Sequence, residues 1–128
     1  AVRTFTNGQG VDVILDMVGA SYFDRNLELL KVRGRLVFIA TLGGNQVNLD
    51  IGKLMRKRAR LIGSVLRPRT LIEKQEIKDA FMSRCLPLMQ RGAIRPIIDR
   101  IFPIAEANAA HARMASNENI GKIVLKVR

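Results

Sequence analysis

Short apolar runs alternate with amphipathic segments along this chain. The first run, residues 11–18, is nearly continuous and rich in β-branched side chains, which is typical of a strand covered on both faces. Gly19 ends the run, and Ser21 followed by Asp24 resembles a capping box at the start of a helix. A second apolar run, residues 36–40, follows that helix. Two buried strands joined by one helix are expected to be parallel, with a right-handed crossover.

The helix predicted between these strands has one apolar face. Phe23, Leu27 and Leu30 recur at helical spacing, so we expect them to pack against the sheet. We place Lys31 and Arg33 in the last helical turn, where the helix dipole favours cations, and Gly34 at the C-cap. The segment from the first strand to the second is therefore predicted to be a βαβ unit.

The same alternation continues downstream. The predicted elements are a helix at residues 49–60, a strand at 61–66, a helix after Thr70, a strand at 96–102, a helix at 105–115 and a strand at 123–127. Pro87 lacks an amide hydrogen and its ring clashes with the preceding turn. We therefore expect a kink there, or a fresh helix that starts near Leu86 and ends at Gly92. The fold class is predicted to be α/β, with three parallel strands and their helices followed by a strand–helix–strand segment.

Composition limits the class of protein. The chain has 128 residues, the size of one domain, and its hydrophobic fraction of 48% can bury a real core. No apolar stretch is long enough for a membrane helix, so we expect a soluble protein. Cys85 is the single cysteine and lies on the apolar stripe of its helix, so we expect it in the core. One Cys and one His cannot form a zinc set, and the lone thiol fits a reducing cytoplasm.

Motifs in chain order resemble one known family. Residues 10–19, Gly-Val-Asp-Val-Ile-Leu-Asp-Met-Val-Gly, resemble the fourth Rossmann strand of the medium-chain dehydrogenase/reductase superfamily, especially its zinc-independent, zeta-crystallin-like quinone oxidoreductase branch. Residues 31–44 are similar to the helix end, fifth strand and glycine-rich exit of that family, and residues 61–69 to its sixth strand with an Arg-Pro exit. Residues 92–103 and 119–125 resemble the segments that return to the catalytic domain.

The resemblance implies that this chain is the C-terminal portion, somewhat over a third, of a quinone oxidoreductase. Residues 1–92 would be the second half of the dinucleotide-binding domain, and residues 93–128 a segment of the catalytic domain. The chain begins at Ala1 without an initiator Met, so we expect it to start inside a longer protein. The glycine-rich turn that holds the pyrophosphate in this family would lie upstream, and we expect the chain alone to be inactive.

The activity implied by the resemblance is hydride transfer from a nicotinamide cofactor to a quinone or an activated carbonyl compound. The expected cofactor is NADPH, with NADH as the alternative, since the residues that choose between them would lie upstream. The family also implies a homodimer joined through the edge strand at residues 61–66. No residue of this chain is expected to act as a catalytic acid or base, and no metal is expected to bind.

The resemblance also places cofactor contacts at the carboxyl ends of the strands, where Rossmann ligands bind. The candidate residues are Met17, Val18, Gly19, Ile39, Ala40, Thr41, Leu42, Leu66, Arg67, Asn117 and Asn119. The first three would pass beside the adenosine ribose and pyrophosphate, and the next four would approach the nicotinamide ribose. Leu66 and Arg67 would frame the nicotinamide end. The two asparagines would return to the cofactor from the loop before the last strand.

Some candidate residues have purely structural interpretations. Gly19, Gly43 and Gly44 are also explained as turn residues that tolerate positive φ. A carboxylate that ends a buried strand more often binds a neighbouring backbone amide than a ribose, and we expect that role for Asp16. His111 has no acid or nucleophile near it in the sequence pattern. We expect it to serve packing or the surface rather than catalysis.

The formal net charge of +11 leaves a second class of function open. Much of it is concentrated in one predicted helix and its exit, at Lys53, Arg56, Lys57, Arg58 and Arg60. Such a cluster is usually a solvated helix face, but it is also compatible with a small nucleic-acid-binding domain. Aromatic residues make up only 5% and there is no Trp, so platforms for stacking single strands are scarce and nucleic-acid binding is not the expected function. A structural or dimerisation module is the third alternative.

Overall fold

A computed structural model describes all residues, 1–128, and the chain divides into two compact units. Unit 1 spans residues 1–70 and unit 2 spans residues 71–128. The division falls inside the stretch that the resemblance assigns to the dinucleotide-binding domain. A domain boundary at residue 92 stays a prediction.

Unit 1 is a three-stranded parallel sheet with its connecting helices. Its elements are α1 (Val2–Phe5), β1 (Val11–Asp16), α2 (Phe23–Leu29), β2 (Leu30–Phe38), α3 (Ile51–Lys57) and β3 (Arg60–Gly63), with a 3₁₀ turn at Ala20–Tyr22 before α2. The strand order is β1-β2-β3, and both neighbouring pairs are parallel. Leu36 in the central strand pairs with Ile14 on one side and Leu61 on the other. The predicted βαβ unit and the third parallel strand are confirmed.

The ends of α2 differ from the prediction. The capping box was wrong, because Ser21 lies in the 3₁₀ turn and no side chain caps α2. The helix ends at Leu29, so Lys31, Arg33 and Gly34 belong to β2 rather than to the last turn and the C-cap. The cause is tertiary pairing, since Leu30 already pairs with Val11 of β1. The partner register then jumps to Arg35 opposite Val13, which leaves the residues between as a bulge.

The core of unit 1 lies on one face of the sheet. Phe23, Leu27, Leu30 and Leu36 are each at most 2% exposed, and the rings of Phe23 and Phe38 stack with centroids 6.2 Å apart. The predicted burial of Phe23, Leu27 and Leu30 is therefore confirmed, although only the first two lie on α2 and Leu30 begins β2.

The other face of the sheet is not covered by any element of unit 1. Val13 is 47% exposed and Leu15 is 62% exposed, so the expectation that β1 is covered on both faces is wrong for these residues. The helices of unit 1 that join the strands pack on the first face and leave the second without a covering layer. The sequence of β1 has the apolar pattern of a strand buried on both faces, although only one of its faces is covered in unit 1.

Unit 2 holds two helices followed by a second parallel strand pair. Its elements are α4 (Leu71–Arg84), α5 (Leu86–Gln90), β4 (Ile98–Pro103), α6 (Ala107–Ala115) and β5 (Lys122–Lys126). β4 and β5 pair in parallel, and α6 joins them. Of the two outcomes expected at Pro87, the structure has the fresh helix at Leu86, which ends at Gln90 rather than Gly92. Pro87 lies in its first turn, where a missing amide hydrogen is tolerated. Cys85 is only half-buried, so its expected place in the core was wrong. The short helices leave its stripe partly open to solvent.

No helix of the protein has the length and apolarity needed to cross a lipid bilayer.

Candidate cofactor-binding site

The two loops that follow the carboxyl ends of β1 and β2 are hydrogen-bonded to each other. These are residues 17–20 after β1 and residues 39–44 after β2. Three backbone hydrogen bonds of 2.7–3.2 Å link the loops, and their donors are Ala20, Leu42 and Gly43. Seven of the eleven predicted contact residues lie in these two loops. The structure therefore brings together the residues predicted beside the adenosine ribose and those predicted beside the nicotinamide ribose. Both groups lie at the carboxyl ends of the strands.

Asp16 fixes the loop after β1. Its side chain is buried, and Oδ1 accepts hydrogen bonds from the amides of Val18 at 2.6 Å and Gly19 at 3.2 Å. This is the structural role expected for Asp16. Because the carboxylate occupies both amides, neither Val18 nor Gly19 has a backbone N–H left for a pyrophosphate oxygen. Any contact of these residues with a cofactor would use their carbon surface.

The glycines of these loops are required by close packing. Gly19 has φ 83°, and a Cβ added there would lie 2.5 Å from the Gly44 carbonyl oxygen. A Cβ on Gly43 would collide with the Ser21 hydroxyl and with Val18. The expected positive φ is found at Gly19 and at Gly44, where it is 113°. Gly43 has no positive φ, so its lack of a side chain is explained by the close packing alone.

A cleft of about 340 Å³ opens between the loops that follow β2 and β3. Its lining residues are Phe38, Ile39, Ala40, Thr41, Gly63, Ser64 and Val65. Two backbone hydrogen bonds hold its base, from Ser64 to the Phe38 carbonyl at 2.9 Å and from Ile39 to the Asp16 carbonyl at 2.8 Å. The cleft is thus a largely apolar slot at the carboxyl ends of parallel strands, where ligands of this kind of sheet bind.

Two consecutive backbone amides on this cleft have no acceptor within the chain. They belong to Ala40 and Thr41, which follow β2, whereas Ile39 before them and Leu42 after them both donate internally. The amide of Val65, on the other side of the cleft, has no internal acceptor either. These amides are therefore available to donate hydrogen bonds to an oxygen of a mostly apolar ligand.

The cleft-lining residues at the end of β3 and directly after it were not predicted from the sequence. The sequence placed the strand end at Leu66 and the contacts at Leu66 and Arg67, but β3 ends at Gly63. Gly63, Ser64 and Val65 line the cleft instead. Gly63 could have indicated this cleft from the sequence. A glycine inside an apolar run often marks a place where regular strand pairing ends or where a ligand or another backbone comes close.

The two predicted asparagines lie in unit 2, in the loop between α6 and β5. Asn117 is exposed and has φ 55°, and Asn119 donates from Nδ2 to the Gly121 carbonyl at 3.2 Å. Their approach to the cofactor stays a prediction. His111, on the adjacent helix, is exposed, which fits the surface role expected for it.

Arg113 holds this asparagine loop in place. Its Nε and Nη2 donate to the two carboxylate oxygens of Asp99 at 3.2 Å each, and its Nη1 donates to Glu118 at 2.7 Å. The amide of Ile120 donates to Asp99 as well, at 3.2 Å. The pKa of Asp99 is held below its ordinary value by the Arg113 hydrogen bonds first and by the Ile120 amide second. The hydrogen bonds to Asp99 and the nearby Asp99 and Glu118 charges raise the pKa of Arg113.

The predicted basic cluster is partly neutralised inside unit 1. Lys53 pairs with Glu28 at 3.4 Å and Arg56 pairs with Asp50 at 3.7 Å. Lys57 donates to the carbonyls of Glu28, at 2.7 Å, and Leu30, which lie at the C-terminus of α2. Burial and the nearby Lys53 charge lower the pKa of Lys57.

The parallel sheet with its connecting helices and the joined loops define a Rossmann-like half-domain. In agreement, the profile of the zinc-binding dehydrogenase family matches residues 1–125. The chain belongs to that family, and its recognition as the C-terminal portion of a medium-chain dehydrogenase/reductase is confirmed.

Similar proteins include named oxidoreductases. The chain is 27% identical to quinone oxidoreductase-like protein 2 of Bos taurus, covering 100% of this chain and 36% of that protein. It is 30% identical to 2-haloacrylate reductase of Burkholderia sp, covering 97% of this chain and 37% of that protein. Among solved structures, the quinone oxidoreductase from Thermus thermophilus, also described in complex with NADPH, is 28% identical with a TM-score of 0.79. That match covers 98% of this chain and 39% of the Thermus chain.

The chain therefore spans somewhat over a third of the relatives it matches. It contains no group of three or more His, Cys, Asp or Glu side chains that could hold a metal ion. The residues of this chain therefore do not by themselves fit the zinc ion in the family's name.

Proposed function

We propose that this chain is the C-terminal portion of an NADPH-dependent quinone oxidoreductase-like enzyme, which reduces a quinone or an activated carbonyl compound. One observation carries the proposal. An apolar cleft with two unused consecutive amides, at Ala40 and Thr41, lies at the carboxyl ends of parallel strands. The 28% identity to the Thermus quinone oxidoreductase supports the choice of reaction.

The residues of the cleft fit the nicotinamide end of such a cofactor. The amides of Ala40 and Thr41 would donate to the carboxamide oxygen, and Ile39 and Val65 would exclude water from the ring. When bound, the cofactor supplies the hydride, while the protein orients the ring and controls access to it.

The remaining candidate residues take lesser parts in this proposal. Met17, Val18 and Gly19 would present carbon surface beside the adenosine half, because the last two amides are already bound to Asp16. Leu42, Leu66 and Arg67 would border the cleft, and Asn117 and Asn119 are proposed as cofactor contacts because of the resemblance. NADPH is proposed over NADH because of the resemblance.

A homodimer through β3 is also part of the proposal. β3 lies at one edge of the sheet order β1-β2-β3, so one side of its backbone has no strand partner. Ile62, in this strand, is 38% exposed. A second copy pairing along this edge would cover both the free backbone groups and the apolar side chain. A reducing cytoplasm is the compartment proposed for this enzyme.

The proposal is tested by restoring the missing portion from a relative. The chain would replace the matching 39% of the Thermus quinone oxidoreductase, and both the chimera and the isolated chain would be assayed for NADPH oxidation. We expect oxidation that requires added 1,4-benzoquinone in the chimera and none in the isolated chain. A chimera with a cooperative thermal transition that fails to bind NADPH or NADH would contradict the proposal, and turnover by the isolated chain would contradict the need for an upstream portion.

Two variants of Gly63 sharpen this test. Gly63 lines the cleft, and a Cβ added there meets nothing within 4 Å. Gly63→Phe should fill the slot and weaken NADPH binding at least tenfold, whereas Gly63→Ala should leave it within about twofold. Equal affinities for the two variants would show that the cofactor does not enter this cleft.

A further inference from the structure

A second cavity, of about 270 Å³, lies in unit 1 on the side of the sheet that the helices cover. The residues that line this core-side cavity are Gly19, Ala20, Phe23, Phe38, Thr41, Gly44, Asn45, Val47 and Leu61. Phe23, Phe38 and Leu61 belong to the core of unit 1 or pack against it. The core-side cavity is therefore an unfilled end of the core, and it shares only Phe38 and Thr41 with the cofactor cleft.

The lining of the core-side cavity indicates the kind of ligand that fits. Phe23 and Phe38, whose ring planes are inclined by only 22°, supply aromatic surface for contact with another ring. None of the nine lining residues carries a charge, so an ionised ligand would lose its hydration without gaining a counter-charge. A neutral ligand with an aromatic ring fits this lining, and a phosphorylated cofactor does not.

Two polar side chains on the core-side cavity have no partner within the chain. They are the Thr41 hydroxyl and the Asn45 carboxamide, neither of which forms an internal hydrogen bond. Both residues are exposed, so these groups lie at the mouth of the cavity. An apolar cavity with a few polar groups that fix orientation is the usual form of a small-molecule site. A ligand hydroxyl at the mouth would have two possible hydrogen-bond partners.

One wall of the core-side cavity is held by side-chain packing alone. Asn45 and Val47 belong to the segment 45–49, and no hydrogen bond joins this segment to the rest of the chain. Leu49 attaches the segment to the core by packing against it. A segment without backbone hydrogen bonds moves aside at lower cost than a strand or a helix. Residues 45–49 therefore offer a ligand a way into the cavity.

The opposite wall consists of the two joined loops. Ala20 and Gly44, which line the core-side cavity, are themselves linked by a hydrogen bond of 2.9 Å between the Ala20 amide and the Gly44 carbonyl. A ligand packed against both loops binds only while the loops are joined. It must therefore shift the equilibrium toward the joined arrangement.

The size of the core-side cavity limits the ligand to one ring. An apolar cavity of roughly 150 Å³ is enough to hold benzene. The 270 Å³ present here accommodates one ring with a small substituent. We propose that the core-side cavity binds a neutral ligand with one aromatic ring and one hydroxyl group, and that this ligand stabilises the joined loops. This proposal is independent of the oxidoreductase proposal, because neither the site nor its test requires a nicotinamide cofactor.

Phenol is the probe for this site. The full chain, isotopically labelled, is titrated with phenol while amide chemical shifts and amide hydrogen exchange are recorded. We expect saturable shifts at Ala20, Thr41 and Asn45. At a phenol concentration ten times the Kd, exchange of the Ala20, Leu42 and Gly43 amides, which join the loops, should be about tenfold slower. Shifts that do not saturate, or exchange rates that stay unchanged at saturation, would overturn the proposal.

A matched pair of variants locates the phenol. Val47→Phe fills the core-side cavity from the wall formed by residues 45–49, and we expect it to weaken phenol binding at least tenfold. Val65→Phe makes the same change at an exposed residue of the cofactor cleft and should leave the Kd within about twofold. Thermal melting checks that both variants are folded. Equal effects, or a larger effect at Val65, would show that phenol does not bind in the core-side cavity.

A comparison of phenol with toluene tests the role of the hydroxyl group and requires no change to the cavity wall. Thr41→Val/Asn45→Ala removes both polar groups at the mouth. We expect a loss of about fivefold in phenol affinity, the value of one hydrogen bond, while toluene affinity stays within about twofold. The same change for both ligands, including no change at all, would overturn the proposal that the site recognises a hydroxyl group.

Discussion

Both carboxylate oxygens of Asp16 lie 3.2 Å from the amide nitrogen of Gly19. The same carboxylate also accepts from Val18, so one buried acid satisfies two amides where β1 ends. Asp16→Ala would leave both amides without a partner, and we expect it to lower the free energy of unfolding by about 2–3 kcal/mol. Urea denaturation measures this change. The control is Asp24→Ala, an exposed acid in the first turn of α2, for which we expect less than about 1 kcal/mol.

The next prediction concerns backbone conformation at the cofactor loops. Gly19→Ala would hold alanine at φ 83° and press its Cβ against the Gly44 carbonyl, so we expect a loss of about 1–3 kcal/mol in unfolding free energy. Gly63→Ala is the matched control, because the same Cβ there meets open space, and its effect should stay within about 1 kcal/mol. Equal melting temperatures for the two variants would show that Gly19 is not required by its conformation.

Leu36 is the central contact of the unit 1 core. It is fully buried in the middle strand, so Leu36→Ala removes packed methyl groups and leaves a cavity. We expect a loss of about 2–5 kcal/mol in unfolding free energy, measured by urea denaturation. Leu42→Ala, at a side chain that is 82% exposed, should change the value by less than about 0.5 kcal/mol. A change of less than about 1 kcal/mol in Leu36→Ala would contradict a core centred on Leu36 on one face of the sheet.

A pH prediction follows from the Asp99–Arg113 pair. The pKa of Asp99 is lowered below 3.8, so its ionised form stabilises the folded state. That contribution is fully present above pH 3.8 and is lost as pH falls through the lower folded-state pKa. An NMR titration should therefore show the Ile120 amide shifting with a midpoint below 3.8, and Asp99→Asn should abolish that transition. A midpoint at or above 3.8 would mean that Arg113 does not hold the carboxylate in solution.

Much of the architecture could be predicted from local signals. The alternation of buried runs and amphipathic helices sets the order of elements, and the helical spacing of Phe23, Leu27 and Leu30 identifies the core face. Pro87 marked a helix start correctly, because the missing amide hydrogen is a local property.

The errors arose where non-local pairing decided the outcome. Lys31 and Gly34 looked like a helix end, yet the pairing of Leu30 with Val11 had already drawn the chain into β2. The same limit applies to the site. Ala40 and Thr41 were predicted by resemblance, but no local signal shows which amides keep a free hydrogen. Ser64 and Val65 were missed because the true end of β3 depends on its pairing with Phe38.

The central claim is that the Ala40–Thr41 amides and their cleft bind the nicotinamide end of the cofactor. Amide chemical shifts of the Thermus chimera, isotopically labelled and titrated with NADPH, test it most directly. The account predicts that the largest changes fall at Ala40, Thr41 and Val65, and that they disappear in Gly63→Phe but persist in Gly63→Ala. Saturable NADPH binding that leaves these three amides unmoved would contradict it.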